Sequence, residues 1–196
     1  MLSFDLNIGG NDIIIDPGAY LYTSNPEQRN LFRSTSKHNT LMIDGEEQNM
    51  IADCGPFQLD INSDVEKFYV NEKYGMYVVV GSYRLIGSDA KHQRSFKLIE
   101  NQMIIEDVVD KKGKEHQLQL FFHFAPGLTP ILDNNTIRCP IGDSFISMVF
   151  SSGNDYIVSI VEDTVSPSYG VLEQSKTVCI SLKFNDRIKF LTTTKW

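Results

Sequence analysis

The chain has 196 residues, enough for one large or two small domains with a substantial core. Apolar residues make up 41% and charged residues 22%, the balance of an ordinary globular fold. A formal net charge of −7 weighs against nucleic acid or an acidic membrane surface as a general partner, and no apolar run approaches the ~20 residues of a membrane span.

Leu2, Phe4, Leu6 and Ile8 alternate with Ser3, Asp5 and Asn7, the period of a strand. Gly9-Gly10-Asn11-Asp12 supplies a turn and Ile13-Ile14-Ile15 resumes an extended run, so the opening predicts a β-hairpin. Its first residues carry no signal-peptide pattern. Residues 16–39 form a polar connection in which Asp16, Tyr20, Tyr22, Arg29, Asn30, Arg33, His38 and Asn39 crowd together. Chemistry-bearing side chains at that density, on a connection between strands, mark a candidate binding or reaction site. Arg29, Arg33 and Lys37, spaced four apart, predict a local basic patch despite the acidic total.

Beyond it the alternation predicts strands at 40–44, 65–71, 76–84, 93–100, 103–109, 116–124, 144–150, 156–162, 177–184 and 187–193. Turn residues separate them at 111–114, 125–127, 133–135, 151–154 and 185–186, and no sustained 3.6-residue apolar period is visible. Short strands at this spacing predict an all-β fold, a large antiparallel β-sandwich forming one domain over 1–196. Cys54, Cys139 and Cys179 form no CxxC pair and are expected as buried free thiols.

The order hairpin, Asp16-Pro17-Gly18-x-Tyr20, Arg29-Asn30-x-Phe32-Arg33-Ser34-Thr35-x-x-His38-Asn39-Thr40, then Asp44-Gly45, resembles the heparinase II/III-like family of polysaccharide lyases. Weaker echoes follow at His92-Gln93-Arg94, Ile105-Glu106-Asp107 and Phe122-His123-Phe124-Ala125-Pro126. The resemblance implies a longer parent in which an N-terminal α-helical toroid, not in this chain, faces the sandwich across a cleft. It also implies a His-x-His-x-Asp-like run ending where Met1 stands. On this reading the chain alone is expected to be inactive, and a periplasmic or secreted setting suits the parent.

The reaction implied is β-elimination on an acidic, uronate-containing polysaccharide. The uronate carboxylate must be neutralised, a base must remove the C5 proton, and an acid must protonate the leaving oxygen. For this reaction Tyr22, which alternates with Tyr20 around Leu21, is the candidate cleft-facing phenol and Arg33, inside the Arg-Ser-Thr run, the other catalytic candidate, with Arg29, Asn30 and Asn39 the substrate-binding ones. Arginine suits the role because its planar fork binds a carboxylate through two hydrogen bonds. Asp16 and His38 are candidate ligands of a structural zinc ion, with a third ligand expected upstream of Met1.

Blander roles stand beside each. Asp16 can cap the Pro17-Gly18 turn, the arginines can pair with Glu27, Glu46 or Glu47, and the asparagines can organise their own loop. The main alternative function is a non-catalytic carbohydrate-binding or architectural domain. A glycoside hydrolase would need two opposed carboxylates, for which Asp16, Asp44, Glu46 and Glu47 are available without a distinguishing spacing.

Overall fold

The computed structural model describes residues 1–51, 55 and 57–196, and the expectation for Cys54 falls outside them. A short hairpin, β1 (Leu6–Ile8) and β2 (Asn11–Ile14), leads into helix α1 (Pro26–Arg33) and a 3₁₀ turn (Thr35–Lys37). The remaining strands are β3 (Leu41–Ile43), β4 (Ser63–Lys73), β5 (Met76–Leu85), β6 (Lys91–Ile99), β7 (Gln102–Asp110) and β8 (His116–His123). They continue with β9 (Ile131–Asp133), β10 (Thr136–Ile141), β11 (Ser144–Ser152), β12 (Tyr156–Val165), β13 (Glu173–Phe184) and β14 (Arg187–Lys195).

Pairing among these strands is antiparallel throughout, in an eight-stranded sheet ordered β4-β5-β6-β7-β14-β11-β10-β9 and a four-stranded sheet ordered β12-β13-β8-β3. One core lies between them. Leu118, Leu120, Phe122, Val178 and Ile180 from the smaller sheet share it with Ile105, Val109, Ile146, Phe150 and Phe190 from the larger. Each such side chain contributes roughly 1.5–3 kcal/mol through burial. The expected all-β sandwich is the fold observed.

Three local departures have physical reasons. The 133–135 turn joins two short strands, β9 and β10, that alternation did not reveal. Pro140 sits in β10 beyond the three residues that pair with β9, where a missing N–H costs no ladder bond on that side. Helix α1 is eight residues long with only Leu31 and Phe32 as large apolar side chains, too little for a period to show. Its start was nonetheless written in the sequence: Asn25 Oδ1 accepts the Gln28 N–H at 3.1 Å, Pro26 opens the helix and Glu27 lies in the first turn. The free thiols divide, Cys139 buried and Cys179 only partly so.

Candidate functional site

Helix α1 places Arg29 and Arg33 one turn apart, with Asn30 between them. Asn30 Oδ1 accepts from Arg29 Nε at 3.2 Å and from Arg33 Nη1 at 3.5 Å. Arg29 is buried and its Nη1 donates to the Tyr22 carbonyl at 3.2 Å, which ties the preceding loop to the helix. Arg33 is half-buried and donates to the carbonyls of Gly55, at 3.4 Å, and Gln58.

Among the described residues neither arginine meets a carboxylate. Two of the expected partners are engaged elsewhere: Glu46 binds Lys111 at 3.0 Å and Glu47 accepts the Thr35 N–H at 2.6 Å. Among the described residues both guanidiniums are held by neutral acceptors.

Leu21, Tyr22, Arg29, Arg33, Phe57 and Leu59 line a small cavity of about 170 Å³ at this point. Tyr22 is 40% exposed and packs between Phe57 and Tyr169, its ring 5.2 Å from each. Tyr22 and Arg33 therefore line the same cavity. Sequence reading passed over Phe57 and Tyr169. The signal available for Tyr169 was an aromatic residue in the turn-rich run Ser166-Pro167-Ser168-Tyr169-Gly170 between β12 and β13. A larger depression of about 760 Å³, between Gln117, Gly153–Ile157 and Ser181–Lys183, contains none of the predicted residues.

Asp16 and His38 also meet. His38 Nδ1 lies 2.7 Å from Asp16 Oδ2, and Asp16 Oδ1 accepts the Gly18 N–H at 3.0 Å. Partial burial pushes the Asp16 carboxyl up, but the hydrogen bond and charge of His38 and the Gly18 N–H together leave it below the ordinary carboxylate value. One carboxylate and one imidazole are suitable zinc donors, yet among the described residues no third His, Cys, Asp or Glu joins them. The described residues alone do not complete a zinc site.

Two expectations are corrected. Asn39 is fully buried: its Nδ2 donates to the carbonyls of Phe4 and Ile15 at 2.9 and 2.8 Å, and its Oδ1 accepts the His123 N–H at 2.7 Å. With every polar group satisfied inside the protein it joins three segments and does not reach a ligand. Lys37 leaves the basic patch, because the 3₁₀ turn directs it inward to Asp163 and the Thr164 carbonyl. Asp163 also accepts from Thr177 at 2.7 Å and lies 3.3 Å from His123 Nδ1, and although burial raises its pKa these partners depress it strongly.

A buried charge cluster lies beneath the loop. Arg94 grips Asp107 through Nε and Nη2, at 2.7 and 3.1 Å, while its Nη1 donates to the carbonyls of Leu2 and Asn39 at 2.9 and 2.7 Å. His92 Nε2 lies 2.6 Å from Asp107 Oδ1, in the interior. Burial would raise the Asp107 pKa, but the Arg94 charge and the His92 hydrogen bond hold it at about 2. Burial, aided by Arg94, pushes the His92 pKa down despite the hydrogen bond and charge of Asp107. The cluster thus anchors the backbone at Asn39, next to His38.

The carboxylates available to a glycoside hydrolase are not paired across a cleft. Asp44 and Glu46 share Lys111, at 2.8 and 3.0 Å, and Glu47 caps Thr35.

A family model described as "Heparinase II/III-like, C-terminal" matches residues 1–194. The chain belongs to the heparinase II/III-like family. No curated protein matches its sequence. Among solved structures it is similar to heparan sulfate lyase HepC from Pedobacter heparinus, with a TM-score of 0.82 and 17% identity over 98% of this chain and 30% of that one. Heparinase III matches with a TM-score of 0.79 and 18% identity over 98% of this chain and 29% of that one. The heparinase III BT4657 gene product gives 0.78 and 17% over the same 98% and 29%. At these identities the likeness establishes the shared sandwich, and this family member spans about 30% of the first of those chains.

Proposed function

We propose that this sandwich forms one wall of the substrate cleft of a polysaccharide lyase that cleaves uronate-containing glycans by β-elimination. The observation that carries the reading is the pair of arginines, Arg29 and Arg33, without a carboxylate partner among the described residues beside the exposed phenol of Tyr22. Family membership supports it. In this reading Arg33 takes the uronate carboxylate. Its Nη1 contacts to Asn30 and the Gly55 carbonyl are long, at 3.5 and 3.4 Å, so an incoming anion displaces little at that nitrogen while Nη2 stays on the Gln58 carbonyl. Neutralising the carboxylate lets negative charge build there as the C5 proton leaves.

Arg29, held behind it, raises the local potential, and Asn30 keeps the two guanidiniums aligned. Tyr22 supplies a phenol for proton transfer, and the complementary groups come from a helical domain across the cleft. For a structural zinc ion, Asp16 and His38 would provide two of the usual four donors, exchanging their mutual hydrogen bond for the metal.

The test is the ultraviolet absorbance of the unsaturated uronate product, measured on heparan sulfate with a full-length parent carrying both domains. Product formation is expected, with kcat/KM lowered at least ~100-fold by Arg33→Ala, the scale of losing one preorganised charge contact. Unchanged activity in that variant would remove Arg33 from the site. Binding without product in the unmodified parent would favour the non-catalytic carbohydrate-binding or architectural alternative.

A further inference from the structure

The connection between β12 and β13 is locked to the loop that carries Tyr22. The Ser166 N–H donates to the Pro17 carbonyl at 2.7 Å and the Gly170 N–H to the Tyr20 carbonyl at 2.8 Å. Within the connection Ser166 Oγ donates to the Ser168 carbonyl at 2.9 Å and Val171 N–H to the same carbonyl at 3.0 Å. Gly18 has φ +82°, and a Cβ there would strike the Ser166 carbonyl oxygen, so only glycine permits this close approach. The clamp holds Tyr169 against Tyr22 with centroids 5.2 Å apart and planes 28° apart, a stacked pair.

After stacking, Tyr169 is still 57% exposed, and Phe57, whose ring centroid also lies 5.2 Å from that of Tyr22, is 80% exposed. Three aromatic rings in one cluster, all left open to solvent, are not core packing. The cluster adjoins the arginines, which meet no carboxylate among the described residues, so apolar π faces and positive charge occur together. A pyranose ring of an acidic glycan has the matching chemistry: C–H groups for the negative aromatic face and a carboxylate or sulfate for the guanidinium.

We propose that Tyr169 is a sugar-stacking residue, forming with Tyr22 and Phe57 an aromatic platform on which a glycan ring sits while Arg33 holds its anionic group. This rests on the acidic-glycan reading above and adds to it a residue from a distant part of the chain. The platform's share of binding is independent of salt, whereas Arg33's share is screened by it.

The test is calorimetric titration of the protein with a size-defined heparan sulfate oligosaccharide at several sodium chloride concentrations. Tyr169→Ala is expected to weaken binding about tenfold with the salt dependence unchanged, and Tyr169→Phe to stay within about twofold of the parent. Arg33→Ala is expected to weaken binding and flatten the salt dependence. Parent-like affinity in Tyr169→Ala would overturn the platform, as would a Tyr169→Leu variant that binds as well as Tyr169→Phe. If Arg33→Ala still loses affinity in either case, the acidic-glycan reading survives and only the platform falls. No binding by the unmodified protein overturns both.

Discussion

Asp107→Asn probes the buried cluster on which the loop rests. The substitution keeps the shape of Asp107 but removes the charge that Arg94 grips at 2.7 and 3.1 Å, with both side chains fully buried. It also turns one acceptor into an N–H group facing another donor. Leaving a buried guanidinium unpaired costs roughly 3–5 kcal/mol, a large part of the ~5–15 kcal/mol that holds a typical domain together. Urea unfolding at pH 7, followed by fluorescence of Trp196, should report that loss.

A second signature is in acid. The folded pKa of Asp107, about 2, lies below its ordinary value of 3.8, so its contribution is complete above about 3.8 and disappears as pH falls through about 2. That contribution is roughly 2 kcal/mol, present in the parent and missing from the variant's acid limb. Asp16, Asp44 and Asp163 are depressed in both proteins and cancel in the comparison. A loss under 1 kcal/mol at pH 7, or acid limbs that superimpose, would refute the role given to this cluster.

Gly18→Ala should cost about 2 kcal/mol from its left-handed backbone and the Ser166 contact, and should speed hydrogen exchange at the Ser166 amide. Slow exchange in the variant would show that the clamp tolerates a side chain. Asn39→Ala removes hydrogen bonds to Phe4, Ile15 and His123 in the interior and should destabilise the protein by about 2–4 kcal/mol in thermal unfolding. A stability change near zero would reopen the case for Asn39 as a surface ligand.

The strands were legible because alternation is local. Even positions of β6 place His92, Arg94 and Phe96 on one face, and Arg94 pairs in register with Asp107 on β7. The same pattern, followed through, would have put His92 inside. Lys37 was not legible: its partner Asp163 is 126 residues away, and four-residue spacing predicts a shared face only while a helix continues. Here α1 ends at Arg33 and a 3₁₀ turn follows, which rotates Lys37 into the interior. Arg33 was legible because it sits inside the motif Arg29-Asn30-x-Phe32-Arg33-Ser34-Thr35, and Tyr22 because a phenol lies a few residues away in the same loop. Tyr169 enters from another part of the chain, and only the pairing of 17–20 with 166–170 brings it there.

The most direct test of the central claim compares calorimetric binding of desulfated heparan sulfate with its carboxyl-reduced counterpart, in which each uronate is an alcohol. If Arg33 recognises the carboxylate, reduction should weaken binding at least ~10-fold in the parent and leave Arg33→Ala indifferent to the change. Equal affinity of the parent for both glycans would contradict the account.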